Sequence, residues 1–233
     1  MKKTLWIAIV GALAASVVAA SAQEVLSANA VGYIKKTLPA DAKFIMVTVP
    51  LNSMTESSNL FGRTSIAQEA PQGSTVYFWN SALQQWDPGN KGIKGWAAAQ
   101  SNRVVVAGEG FFLKGSNAAP ANVDVTISGE VPDNPIGEPI VRAIPGSGAF
   151  GTLANAYPVD FKFGESEVAK NATSNSVVYF WNESLQQWDP GNKGIKGWAA
   201  AQSNRIVQAG EGFFLKESGT VTTWTNIKPY TWP

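Results

Sequence analysis

Four side chains recur at one spacing in this chain and could together hold a sugar. Asp87, Asn90, Trp96 and Gln100 reappear as Asp189, Asn192, Trp198 and Gln202, each 102 positions later. An indole face can lie against a sugar ring, while a carboxylate and two amides hydrogen-bond its hydroxyls. Trp96 follows the glycine-rich loop Asn90-Lys91-Gly92-Ile93-Lys94-Gly95 and is the tryptophan expected to be exposed. Trp79 and Trp86 are expected to face each other across a hairpin and fill a core.

Other chemistry is poorly supplied. Asp87 and Glu109 would serve glycoside hydrolysis only if their carboxyls lay about 5 to 10 Å apart. Asp87 before Pro88-Gly89 reads more simply as a turn-capping side chain, and Glu109 between two glycines as a tight-turn residue. Asp87 and Asn90 offer too few oxygens for a calcium loop, which takes about six or more. Gly89-Asn90-Lys91-Gly92 lacks the preceding strand and following helix of a phosphate loop. The chain has no histidine and no cysteine. That removes the commonest general base, the thiolate ligands and nucleophiles, and the usual partner of a catalytic serine. The expectation is a protein that is not an enzyme and carries no metal or cofactor.

These residues sit in a segment that occurs twice. Tyr77 to Ser116 and Tyr179 to Ser218 are 40 residues each and differ at five positions, numbered 81, 82, 104, 106 and 115 in the first copy. Just upstream, an ungapped comparison of Leu51–Val76 with Leu153–Val178 gives only seven identities in 26. Recombination between copies would explain so uneven a likeness. So would a constraint on the repeated block beyond core packing, which tolerates conservative exchange. Both explanations stand at this point.

The elements that must position the segment read as strands. Phe44–Val49, Thr75–Trp79, Leu83–Trp86, Arg103–Val106, Phe111–Lys114 and Val123–Ser128 are rich in β-formers or alternate with period two. Asp87-Pro88-Gly89-Asn90 is expected to end a strand, and one short helix is expected within Ser58–Glu69. The fold class is therefore all-β: two tandem, similar β-sandwich or barrel-like modules with at most a short helix in each. Module one runs over 28–130 and module two over 131–233. Val131 to Pro139 carries three prolines and makes a stiff connector.

Residues 1–22 have the make-up of a secretory signal peptide. Lys2 and Lys3 precede an apolar run, and Ala20-Ser21-Ala22 offers a cleavage site. Cleavage there leaves 211 residues whose net charge falls from +1 to −1. So nearly neutral a chain has no electrostatic footprint for nucleic acid and little repulsion between copies. No later apolar run is long enough to span a membrane as a helix.

Asn29-Ala30-Val31-Gly32-Tyr33, Pro50-Leu51-Asn52, Thr75-Val76-Tyr77, Trp86-Asp87-Pro88, Gly108-Glu109-Gly110-Phe111-Phe112 and Ser128-Gly129-Glu130-Val131 follow one another in order. This order resembles a group of uncharacterised exported two-module β proteins of Verrucomicrobia and related bacteria. Module two departs from it, with Asn155-Ala156-Tyr157-Pro158 at the Pro-Leu-Asn step. The resemblance implies export and duplication and no particular activity. The expected function is that of a secreted, non-enzymatic structural or interaction protein with two near-identical presented faces. It would act by binding a protein or glycan partner, or by homo-oligomerisation, at the cell surface or in the envelope. The alternative is a carbohydrate-binding protein using Trp96 and Trp198.

Overall fold

The computed structural model describes residues 30–135, 138–220 and 222–231. The signal segment at 1–22 lies outside the described residues. Among those described, no helix is long and apolar enough to cross a membrane.

The chain forms two similar all-β units. The first contains β1 (Val31–Leu38), β2 (Phe44–Val47), α1 (Ser65–Glu69), β3 (Thr75–Asn80), β4 (Gln85–Gly92), β5 (Gly95–Trp96), α2 (Ala98–Ser101), β6 (Phe111–Lys114) and β7 (Val123–Glu130). The second contains β8 (Ile140–Ile144), β9 (Phe150–Ala154), β10 (Phe161–Lys162), α3 (Glu167–Asn171), β11 (Val177–Asn182), β12 (Gln187–Gly194), β13 (Gly197–Trp198), α4 (Ala200–Ser203), β14 (Ile206–Val207), β15 (Gly212–Lys216) and β16 (Thr222–Asn226). Each unit holds a five-stranded antiparallel sheet, in the orders β2-β6-β3-β4-β5 and β9-β15-β11-β12-β13. A two-stranded ribbon, β1-β7 or β8-β16, lies over it.

Period-two alternation gives each sheet two apolar faces. One face (Ile45, Val47, Val76, Phe78, Phe111 and Leu113) meets Leu38, Val125 and Ile127 of the ribbon and Phe61, Ile66 and Ala67 of the helical turn. Phe163, Phe180, Phe213 and Leu215 build the equivalent core of the second unit. The other faces, carrying Trp79, Trp86 and Phe112 in one sheet and Trp181, Trp188 and Phe214 in its mate, close on each other. The molecule is thus layered ribbon, sheet, sheet, ribbon.

Two local expectations need correction, and a third, the short helix, is met. Asp87–Asn90 is not a turn, because β4 runs unbroken from Gln85 to Gly92. The strand tolerates Pro88 because Lys91 N–H donates to Ser74 O, so odd-numbered residues point their N–H at β3 and Pro88 faces outward. Arg103–Val106 makes only a single bridge, from Val104 to Leu60, and its counterpart is the two-residue β14. The helix foreseen within Ser58–Glu69 is a 3-10 turn over Phe61–Arg63 followed by α1.

The ungapped alignment of the flanks also fails. Val47 pairs with Phe111, and Leu153 pairs with Phe213, so Val47 and Leu153 are equivalent at a spacing of 106, not 102. Asp41 and Ala42 share positive φ with Ser147 and Gly148, which confirms that register. Module two therefore lacks four residues between β9 and its 3-10 turn, and Leu51 does not correspond to Leu153. Pro39 with Pro145, and Phe44 with Phe150, are the true matches there.

Candidate functional site

The residues expected to bind a ligand are mostly engaged in packing. Trp96 is half-buried, its ring 5.0 Å from that of Phe61. Its indole N–H donates to Ala67 O at 2.8 Å. Trp198 repeats this on Phe163 and Ala169. Neither is the free aromatic platform that the sugar reading needs. The reason lies next door: Lys91 Nζ reaches Ala67 O, Gln68 O and Ala70 O at 2.9, 2.6 and 2.6 Å. It thereby ties β4 to the C-terminal end of α1, whose last carbonyls would otherwise be orphaned. Lys193 does the same for α3. Burial holds both amines below the usual lysine range. The glycine-rich loop is thus anchored through Lys91 and Trp96, and Gly92, Ile93 and Lys94 between them stand in solvent.

The polar members do not converge either. Gln100 lies over Gly89, where a Cβ would come within 2.2 Å of its Cγ, and it donates to Pro88 O at 3.1 Å. Asp87 accepts a long 3.4 Å bond from Asn80. Asn90 lies on the opposite face of β4 and accepts from Thr75 Oγ1 at 2.8 Å. In module two, Asp189 and Gln202 do line one shallow cleft with Arg205, but Asn192 and Trp198 are outside it.

In module two, carboxylates share a cleft. Asp189, Glu211 and the unrepeated Glu183 line a second cleft with Lys36 and Arg205. Glu211 is bound to Arg205 at 2.6 Å and accepts from Gln208 N–H at 3.0 Å. Glu109 is held likewise by Arg103 at 2.6 Å, and that guanidinium lies 4.3 Å over Phe78. Glu109 and Glu211 therefore act as ion-paired turn locks. Among the described residues no three His, Cys, Asp or Glu side chains group to hold a metal ion.

What the repeated segment does build is the junction between the modules. Its contacts come in reciprocal pairs, as across an isologous two-fold interface. Phe112 lies 4.9 and 5.3 Å from Trp181 and Trp188, and Phe214 lies 5.0 and 5.2 Å from Trp79 and Trp86. Trp79 N–H donates to Phe150 O, and Trp181 N–H to Phe44 O, both at 2.9 Å. Gln84 brackets Phe150 as a strand would, accepting from its N–H at 2.7 Å and donating to its C=O at 3.1 Å. Gln186 does the same to Phe44 at 2.7 and 3.0 Å. Both glutamines sit at hairpin tips with φ near 52° and 53°.

Glycines let the backbones meet. Thr48 N–H donates to Gly210 O at 3.1 Å and Ala154 N–H to Gly108 O at 3.0 Å. A Cβ on Gly212 would lie 3.0 Å from Gly110 Cα of the other module. Each ribbon sends one cation over the opposite turn, Lys36 toward Glu211 and Arg142 toward Glu109. Burial keeps the Lys36 amine below its ordinary range, while Glu211, Glu183 and Asp160 work the other way. Burial pushes the Glu183 carboxyl up, with Lys36 opposing.

Sequence reasoning missed this junction because it assigned Trp79 and Trp86 to one module's core. The available signal was that β3 reads Thr-Val-Tyr-Phe-Trp, with large apolar residues on both faces. A strand apolar on both faces needs cover on both. Compared with known proteins, the chain matches no family model, no curated protein and no solved structure.

Proposed function

We propose that the protein is exported and acts without catalysis, as a structural or interaction unit of the bacterial envelope or cell surface. The observation that carries this is the closure of the two repeated aromatic faces on each other, which spends the repeat on rigidity. Presentation of two identical faces is not what this geometry supports. Recognition of a protein or glycan partner falls instead to the outer surfaces, where the modules differ.

The clearest difference lies beside the helical turns. In module one, Arg63, Ser65 and Gln68 line a groove with Met54 and Ser128. In module two the corresponding residues are Glu165, Glu167 and Lys170, in a groove with Trp224. Two grooves of unlike charge suit two unlike contacts better than one bivalent contact. The test is cross-linking of the tagged chain in a producing bacterium, with the linked residues mapped by mass spectrometry. Partner links should fall in these grooves. A hydrolytic turnover abolished by Glu211→Gln in a folded protein would replace this reading with an enzyme.

A further inference from the structure

We infer that the junction is complementary between copies as well as within one, so that the chain can exchange modules with a second copy of itself. Module one of one molecule then seats on module two of the next through the contacts that now close the monomer. This deepens the self-assembly side of the proposed function and rests on it.

Four observations carry the inference. The contacts are reciprocal, so each face presents both halves of every interaction: the phenyl of Phe112 or Phe214, the indoles that receive it, the Gln84 or Gln186 amide, and the strand it brackets. The two faces are also nearly the same. The five differences in the repeat fall at 81, 82, 104, 106 and 115, and none is among the aromatic, glutamine or glycine contacts of the junction. Each module keeps a core of its own, around Phe61 and Phe163, distinct from the aromatic cluster of the junction. Finally, among the described residues the modules share no sheet or ribbon, and the strands touch across the junction at the single bridge Val47–Glu211. Beyond the junction, the covalent connector holds the modules together, fastened to module two by Tyr230 Oη to Pro132 O and Lys228 to Asp133.

Opening and re-closing on another molecule therefore rebuilds the same contacts at no cost in kind. A short connector sets an effective concentration of about millimolar, so the closed monomer wins in dilute solution. Exchange becomes competitive when chains refold together near that concentration. A pair of molecules closes if both junctions are satisfied, and an open series extends if they are not.

The experiment uses two batches of the full mature chain, one Lys94→Cys carrying a donor dye and one Lys196→Cys carrying an acceptor. Neither position takes part in the junction, and the parent has no cysteine to compete. The batches are mixed in urea and refolded at micromolar and at about millimolar concentration. Energy transfer with at least a doubled light-scattering mass, confined to the concentrated sample, is the expected result. Monomer mass without transfer at both concentrations overturns the inference. So does transfer that persists undiminished in Phe112→Ala with Phe214→Ala, since association then uses another surface; circular dichroism on that variant reports whether the modules remain folded. Absence of exchange removes only this mode of assembly, whereas the Glu211→Gln turnover experiment bears on the proposed function itself.

Discussion

Phe112 and Phe214 offer a direct measure of how far the modules depend on each other. Each is about 5% exposed, at 6% and 5%, and each touches two indoles of the other module. Truncation to alanine costs about 3 to 5 kcal/mol for a buried phenylalanine. If the two sites were independent, the double variant would lose about 6 to 10 kcal/mol. They are not independent here. Phe112→Ala withdraws a ring from the cluster that Phe214 shares through Trp86 and Trp188, so the second truncation opens a space already loosened. The double variant should therefore fall short of the sum by about 0.5 to 3 kcal/mol, the range for residues in contact. Urea unfolding followed by tryptophan fluorescence gives the four stabilities. Total stability of a protein is only about 5 to 15 kcal/mol, so all four belong in one stabilising osmolyte concentration. Phe61→Ala with Phe163→Ala is the control, because these rings sit in separate module cores and should add within about 0.5 kcal/mol. Additivity at Phe112 and Phe214 equal to that of the control would refute the shared junction.

Gly212→Ala should cost about 1 to 3 kcal/mol by overpacking against Gly110 Cα, Met46 and Val47 O at 3.0 to 3.3 Å, and should lower the barrier to module opening seen by hydrogen exchange. Neutral behaviour would mean that the backbones do not meet there. Gly115→Ala should destabilise more, since its Cβ would come 1.8 Å from Pro39 O, whereas Glu217→Ala at the matching place leaves Thr173 and Gly219 N–H without their acceptor; thermal melts compare the two. Burial raises the phenols of both Tyr157 and Tyr230 above the ordinary tyrosine range. The folded chain then holds protons that the unfolded chain releases above about pH 10, so stability is retained below that pH and falls as pH rises past it. Alkaline titration by phenolate absorbance should show two of the five tyrosines lagging, and Tyr230→Phe should flatten the alkaline fall in Tm.

The all-β class, the tandem build and most strands were legible because period-two alternation and turn chemistry are local. Asp87–Asn90 misled because Pro and Gly are turn residues by propensity, and only the outward direction of Pro88 on β4 admits them to a strand. Trp96 misled for a related reason. A tryptophan after a glycine-rich loop looks exposed until Lys91 folds that loop back onto the α1 carbonyls, a contact spanning more than 20 residues. The four-residue deletion before the second 3-10 turn was hidden by the chance match of Leu51 with Leu153. The junction was the largest omission, since nothing in a strand's own sequence says whether its second apolar face is covered by the same module or the next.

The structure also bears on the two explanations for the uneven repeat. Recombination copies letters without regard to place, so later differences should scatter over junction and surface alike. Four of the five differences fall instead at exposed positions of module one: Ser81, Ala82, Val104 and Val106. The fifth, Gly115, is buried against Pro39 O, and its counterpart Glu217 is fully buried with Oε1 accepting from Thr173 and Gly219 N–H. The aromatic, glutamine and glycine contacts of the junction do not differ, while its margin does: Glu183 stands for Ser81, Arg142 for Lys36 and Thr152 for Met46. A face that must fit its near-copy loses a contact in both directions when either partner changes, which restrains both. The outer grooves carry no such restraint, and there Arg63, Ser65 and Gln68 have become Glu165, Glu167 and Lys170. Nothing in the structure explains why exposed residues of the block, among them Leu83, Asn90, Ile93, Lys94, Ala98 and Asn102, are also kept. The aromatic, glutamine and glycine contacts of the block stay alike where it is turned inward, and the diverged flanks are the surface on which a partner is to be sought.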